Sequence, residues 1–152
     1  MAADVKDSIL KSVKKMVGLT DEYDYFDPEI IMYINAELMH LNQLGVGTSD
    51  VFNIEDDTAT WQDFLGDDTS NLPIVKPFVA GKVRLVFDPP QSSSASQALT
   101  DQLKEYEFRL QAAVEPNSEE KAAIRKEAER RIKEYYEDGY HVNIWSSEYE
   151  GN

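Results

Sequence analysis

Apolar residues recur along this chain at alternating spacings of three and four, in blocks separated by proline, glycine and serine. Val5, Ile9, Val13 and Met16 share one helical face, so the spacing predicts a helix from Asp4 to Met16. Gly18 stands ready for a left-handed C-terminal cap. Asp21 to Tyr25 read as an acidic loop. Asp27 followed by Pro28 reads as an N-cap and a first-turn proline, which loses no hydrogen bond there. From Pro28 to about Gln43, Ile31, Ile34, Leu38 and Leu41, with Ile30 beside them, give a second buried stripe that Gly45-Val46-Gly47 ends. Residues 48–59 are polar and read as irregular. Thr60 to Gly66 reads as one or two helical turns, with Thr60 as cap and Asp63 three residues on.

The stretch from Asn71 to Phe87 carries a conflict. Val75, Val79, Val83 and Val86 fit helical spacing, yet Pro77 and Gly81 lie inside the run. A mid-helix proline removes a hydrogen bond and costs about 3 kcal/mol. The pattern therefore predicts a kinked helix or one that starts near Pro77, with a buried strand at 83–87 as the alternative. Asp88 and Pro89 each precede a proline and so favour extended backbone. Asp88-Pro89-Pro90 is then a rigid corner. Ser94 with Gln97 matches a capping box, and Leu99, Leu103, Tyr106, Leu110 and Ala113 form a narrow seam suited to another helix.

After Glu115-Pro116, Asn117 with Glu120 predicts the cap of a last helix from Ser118 to about Asp138. Its apolar stripe is thin: Ile124, Ala128, Ile132 and Tyr135. Glu127–Arg131 and Glu129–Lys133 are favourable pairs four apart. Tyr140, Val142 and Ile144, with Trp145, then alternate as in a strand. The expected fold is all-α: a small bundle of four to five helices with a kinked third helix, irregular loops and an extended C-terminal tail. Residues 1–114 form the helical domain and 115–152 an extension. An apolar tail behind a thinly apolar helix predicts a partner-binding segment, with Ile124, Ile132, Tyr135, Tyr136, Tyr140, Val142, Ile144 and Trp145 as the candidate contacts.

Composition narrows the function. The chain has 152 residues, 41% of them hydrophobic, enough for one core. It has no cysteine, hence no disulfide framework and no thiolate nucleophile or cysteine zinc site. No apolar run approaches the ~20 residues that span a bilayer, so no membrane partner is expected. The first residues lack the ~7–15-residue apolar core of a secretory signal. The net charge of -14, from 15 basic and 29 acidic side chains, opposes bulk attraction to phosphates.

Chemistry-bearing constellations are missing. His40 and His141 are far apart, no His-Glu-x-x-His helix occurs, and no glycine-rich loop precedes a Lys-Ser/Thr pair. His40 reads as a core-edge or surface residue. Glu55 to Thr60 faintly suggests a calcium loop, but Trp61 and Asp67 stand where glycine and glutamate are required. The expectation is no enzyme, no cofactor and no metal.

Several stretches in order resemble the head–tail connector, or adaptor, proteins of tailed double-stranded DNA phages. They are Phe26-Asp27-Pro28-Glu29-Ile30-Ile31 leading to Ile34-Asn35, Leu41-Asn42-Gln43-Leu44-Gly45-Val46-Gly47, and Trp61-Gln62-Asp63-Phe64-Leu65-Gly66. Lys82-Val83-Arg84-Leu85-Val86-Phe87-Asp88-Pro89-Pro90 and Glu107-Phe108-Arg109-Leu110 follow. Pro77 and Gly81 depart from the pattern, falling where stronger helix formers are expected. The resemblance, over roughly residues 8 to 114, implies a structural virion protein at the head–tail junction, assembled in the host cytoplasm. It implies a homo-oligomeric ring, typically twelvefold, between the portal protein and a stopper or tail-completion protein. DNA would pass through the channel without specific binding. Lys82, Arg84, Asp88, Pro89, Pro90, Leu103 and Arg109 are then candidates for inter-subunit or structural motif positions. The extension at 115–152 looks suited to gripping the portal. The alternative is a small helical phage or host regulatory protein that binds one partner through its C-terminal helix.

Overall fold

The computed structural model describes residues 5–48, 50–114 and 118–137, with side chains from 122 onward in the last segment. The described residues hold six helices in chain order: α1 (Ile9–Met16), α2 (Asp27–Gln43), α3 (Trp61–Leu65), α4 (Leu72–Phe87), α5 (Ser93–Ala113) and α6 (Ser118–Glu137). Extended pairing among them is limited to one isolated bridge between Ser8 and Thr60. The all-α reading holds. The chain divides into two compact units, residues 1–114 and 115–152.

Helix α4 is the centre of the first unit. Helices α1, α2 and α5 all pack on it, and Leu72, Val75, Phe78, Val79, Ala80, Gly81 and Val83 are all buried. It is one helix through Pro77, which sits a turn inside it. It neither begins near Pro77 nor gives way to a strand at 83–87. Burial on nearly every side outweighs the hydrogen bond lost at the proline. Gly81 is the reason α5 can approach so closely. A Cβ there would lie 2.6 Å from Leu103 Cδ2, so a larger residue has no room beside that leucine.

The buried stripe of α2 is Ile30, Ile34, Leu38 and Leu41; Ile30, expected beside the stripe, is fully buried, and Ile31, expected in it, is half-buried. Helix α1 is rotated from expectation. It starts at Ile9, where the Ser8 hydroxyl accepts from the Lys11 amide, and not at Asp4. Ile9, Leu10, Val13 and Lys14 are buried, whereas Met16 is exposed. Helix α1 packs against both α2 and α4, and two partners impose a wider buried arc than one apolar stripe predicts. Gly18 follows with φ +89°, as the left-handed cap requires.

Two asparagines on α2 pin the long connection that follows. The Asn35 side chain donates to the Ile54 carbonyl at 3.0 Å and accepts from the Ile54 amide at 2.8 Å, as a neighbouring strand would. Asn42 donates to the Thr48 carbonyl at 2.9 Å. Gly47 has φ +91°, and a Cβ there would meet the Phe64 ring at 2.9 Å. The connection leads to α3, whose capping box is complete: Thr60 accepts from the Asp63 amide and Asp63 from the Thr60 amide. Trp61 is fully buried and its indole N–H donates to the Ser12 hydroxyl at 3.1 Å, tying α3 to α1.

Two caps differ from expectation. Helix α5 begins at Ser93 with Ser92 as the cap, its hydroxyl accepting from the Ala95 amide at 3.1 Å. Ser94 is inside the helix, and Gln97 donates to Asp101 instead of closing a capping box. Three consecutive serines can each cap, and the first of them wins here. At α2, Asp27 is the first helical residue and makes no side-chain cap; Phe26 holds the cap position. Leu103 and Leu110 of the α5 seam are buried, Leu99 and Tyr106 half-buried, and Ala113 is exposed.

Candidate functional site

The described residues bring together no catalytic constellation. Among the described residues, no group of three or more metal-ligating side chains converges, and no helix is long and apolar enough to cross a membrane. The supposed calcium-like stretch is an Asx turn: Asp56 accepts from both the Thr58 amide, at 2.9 Å, and the Thr58 hydroxyl, at 2.5 Å. Those bonds hold its carboxyl below the usual Asp range, and Ser70 does the same to Asp68. His40 lies at the core edge. Its Nε2 is 2.9 Å from a Glu107 carboxylate oxygen, which links α2 to α5, and its Nδ1 is 3.3 Å from Glu37. Functional geometry must then be sought in surfaces.

The first surface is a groove of about 180 Å³ between α1, α4 and α5. Pro77, Ala80 and Gly81 of α4 form a floor of small residues. Met16 closes one side and Leu99 and Tyr106 the other, with Arg84 at the rim. Lys15 and Lys76 stand beside it, in a second depression that shares Met16 and Pro77. This is a local concentration of cations on an acidic chain. Lys76 reaches Asp7 at 3.6 Å. Among the described residues, no ion pair is formed by Lys15 or Arg84.

The second surface is acidic and adjoins the depression that holds Lys15 and Lys76, since Asp21 lines both. Asp21, Glu22, Asp24, Asp27, Glu55, Asp56 and Asp57 surround a depression whose apolar strip is Leu10, Pro28 and Ile31. Tyr25 projects from its loop, 75% exposed, and meets Phe26 edge-on at 4.9 Å between ring centroids. Phe26 in turn stacks edge-on against Phe87 at the end of α4, at 5.1 Å. Beneath this loop Lys14, only 2% exposed, places its ammonium 2.8 Å from Asp27 Oδ1. It also donates to the Asp21 carbonyl at 3.2 Å. Asp27 Oδ1 is buried with no other partner, so this pair is its compensation.

The third surface is α6, in the second unit. Ile124 and Ile132 are more than half exposed, and Tyr135 and Tyr136 nearly half. The two tyrosine rings meet edge-on at 5.9 Å. Glu127 pairs with Arg131 at 3.1 Å as expected, and also with Arg130 at 2.6 Å. Arg130 and Arg131 hold the Glu127 carboxyl below its ordinary value. Lys133 turns to Glu137, at 3.7 Å, and not to Glu129. Tyr140, Val142, Ile144 and Trp145, the Asn117 cap and His141 lie outside the described residues.

The remaining predicted positions are dispersed. Lys82 is over the Phe78 ring at 5.6 Å, on the side of α4 that faces His40. Arg84 is at the groove rim. Asp88 and Pro89 are exposed and Pro90 half-buried at the corner, where Asp88 is extended at φ -148°. Leu103 is inside the core against Gly81. Arg109 is exposed and paired with Glu105 of its own helix at 2.6 Å. Sequence reasoning passed over Met16, Lys76, Lys14 and Tyr25. The acid-aromatic run at 21–26 was the available signal for Tyr25; nothing local signals a buried lysine whose partner is thirteen residues away.

The residues that carry the resemblance mostly build this frame: Asn35, Asn42, Gly47, Trp61 and Phe87 each fix one element to another. A protein-family model described as "Phage connector protein" matches residues 9–117, more than two-thirds of the chain. No curated protein and no solved structure matches. The matched span takes in α1 to α5 with every fully buried hydrophobic residue of the core, and on that ground the chain belongs to the phage connector protein family.

Proposed function

We propose that this chain is a structural component of the phage neck. Its copies close into a ring between the portal protein and the stopper or tail-completion protein and extend the DNA channel. The observation that carries the reading is the family match over residues 9–117, which takes in all five helices of the first unit. A ring needs two different surfaces per subunit that meet head to tail and close, and unit 1 offers an apolar-basic face and an acidic one. The extension from 115 grips the portal through Ile124, Ile132, Tyr135 and Tyr136, which lie exposed on a helix too polar to form a core of its own. A chain of net charge -14 lets duplex DNA slide past without sticking. The protein acts without catalysis, at the head–tail junction, after assembly in the host cytoplasm.

The test is affinity capture of an N-terminally tagged chain from virus-producing cells, with mass spectrometry of the co-purified proteins. Portal and neck proteins in ring-like stoichiometry are expected, and deletion of 115–152 should remove the portal. Recovery of a single regulatory protein with no virion component would refute the reading.

A further inference from the structure

We propose that the groove between α1, α4 and α5 receives Tyr25, with its flanking carboxylates, from a second copy of this chain. The inference deepens the ring reading above and rests on it for the head-to-tail arrangement. It starts from a fit of size. An apolar cavity of about 150 Å³ accommodates a benzene ring, and this groove offers about 180 Å³ over a floor of Pro77, Ala80 and Gly81. One aromatic side chain fills it. Its walls are mostly apolar or aromatic, from Met16 on one side to Leu99 and Tyr106 on the other, with Gln102 among them.

The second argument is charge. Arg84 at the rim and Lys15 nearby have no ion pair among the described residues, and Lys76 has only a long one, at 3.6 Å. Asp21 lines the same depression as Lys15 and Lys76, but the side chains of Glu22 and Asp24, on either side of Tyr23, are exposed and form no ion pair among the described residues. Cations beside a hole thus face, in another copy, the carboxylates of Glu22 and Asp24 beside a knob. Opposite charge at the rim steers the approach, and the buried ring supplies the affinity.

Tyr25 does not occupy the groove of its own molecule, since it is 75% exposed. Nor is it loose. Its ring lies edge-on against Phe26, which is held by Phe87. A projecting aromatic anchored in this way loses little freedom on docking. Knob and groove are different surfaces, so the contact repeats from copy to copy and closes only when the rotation between subunits allows.

Sedimentation velocity on the full chain tests this, over a range of protein concentration in about 0.1 M and about 1 M salt, where the screening length falls from about 10 to about 3 Å. The unaltered chain should form species larger than two copies in low salt and lose them in high salt. Tyr25→Ala and Arg84→Glu, both exposed and so expected to fold (checked by far-ultraviolet circular dichroism), should each weaken association at least about tenfold. Mixed together they should give a complex of two chains and no more, because Tyr25→Ala keeps the groove and Arg84→Glu keeps the knob. A chain that stays single at every concentration in low salt overturns the proposal. So does assembly that stops at two copies, that salt leaves unchanged, or that either variant matches. Portal capture reads the connector role separately. Capture without self-association sinks this contact and spares that role; self-association without capture does the reverse.

Discussion

Gly81→Ala is the substitution whose sign the structure decides against helix propensity. Alanine in place of glycine inside a helix is worth about 0.5–1 kcal/mol of stability. Here the new methyl would lie 2.6 Å from Leu103 Cδ2 and 3.4 Å from its Cγ. Leu103 is 2% exposed and must move. Overpacking of this kind costs about 1–3 kcal/mol. The groove beside the pair offers Leu103 an exit, at the expense of exposing its methyl, which sets the cost towards the lower end. The net expectation is a loss of about 0.5 kcal/mol. Leu103→Ala alone should cost about 2–5 kcal/mol through the cavity it leaves. In that background the clash is gone, and Gly81→Ala should become stabilising by about its propensity gain. The two substitutions are therefore coupled by about 1–3 kcal/mol. Urea unfolding at low protein concentration and high salt measures this, and Trp61, fully buried, reports on the core. The chain has two tryptophans, so a Trp145→Phe background isolates that signal. Equal effects of Gly81→Ala in both backgrounds, or a gain in the unaltered chain, would refute the close-packing account.

Three further outcomes are expected. Asp27→Asn should cost about 3–5 kcal/mol in urea unfolding, because it strands the Lys14 ammonium, 2% exposed, in the core. Lys14→Met should cost less, since Asp27 keeps 24% of its side-chain surface in water; the reverse order would show that the pair is not what neutralises Lys14. Asp56 and Asp68 should titrate below the ordinary Asp range by nuclear magnetic resonance. Each depressed value contributes stability that is present above the unfolded-state pKa and lost as pH falls through the folded one; Thr58→Val should raise the Asp56 value part of the way back, since the backbone amide at 58 still donates to it. Duplex DNA should show no gel shift near physiological salt, and a tight, salt-sensitive shift would contradict the acidic-channel reading.

The helices were legible because three- and four-residue spacing survives whatever the neighbours are. Helix α2 shows this best: its buried residues are those of the pattern, with only Ile31 partly out. Legibility failed where the outcome depended on a partner distant in sequence. Met16 belongs to the apolar pattern of α1, yet contacts with both α2 and α4 turn Leu10 and Lys14 inward in its place. Lys14 looks like a solvated charge until Asp27 is set beside it. Gly81 and Pro77 look like breaks, but one admits Leu103 and the other floors a groove. At Ser92 to Ser94 the local signal was degenerate, since each serine can accept from an amide three residues on.

The same division separates what makes the chain a connector from what would select its partners. Asn35, Asn42, Gly47 and Trp61 bind loops and helices to one another inside one subunit. Substitutions there act through the frame, because a buried amide or indole left without its partner destabilises folding before it alters any surface. Tyr25, Met16 and Lys76 sit outside the stretches that carry the resemblance, and of the groove rim only Arg84 falls within one. Surface residues are free to change charge and size with a partner while the core is not, since exposed substitutions usually shift stability by under about 0.5 kcal/mol. A family signature of this kind therefore identifies the scaffold. The identity of the neighbour it meets is written in the residues between the motifs.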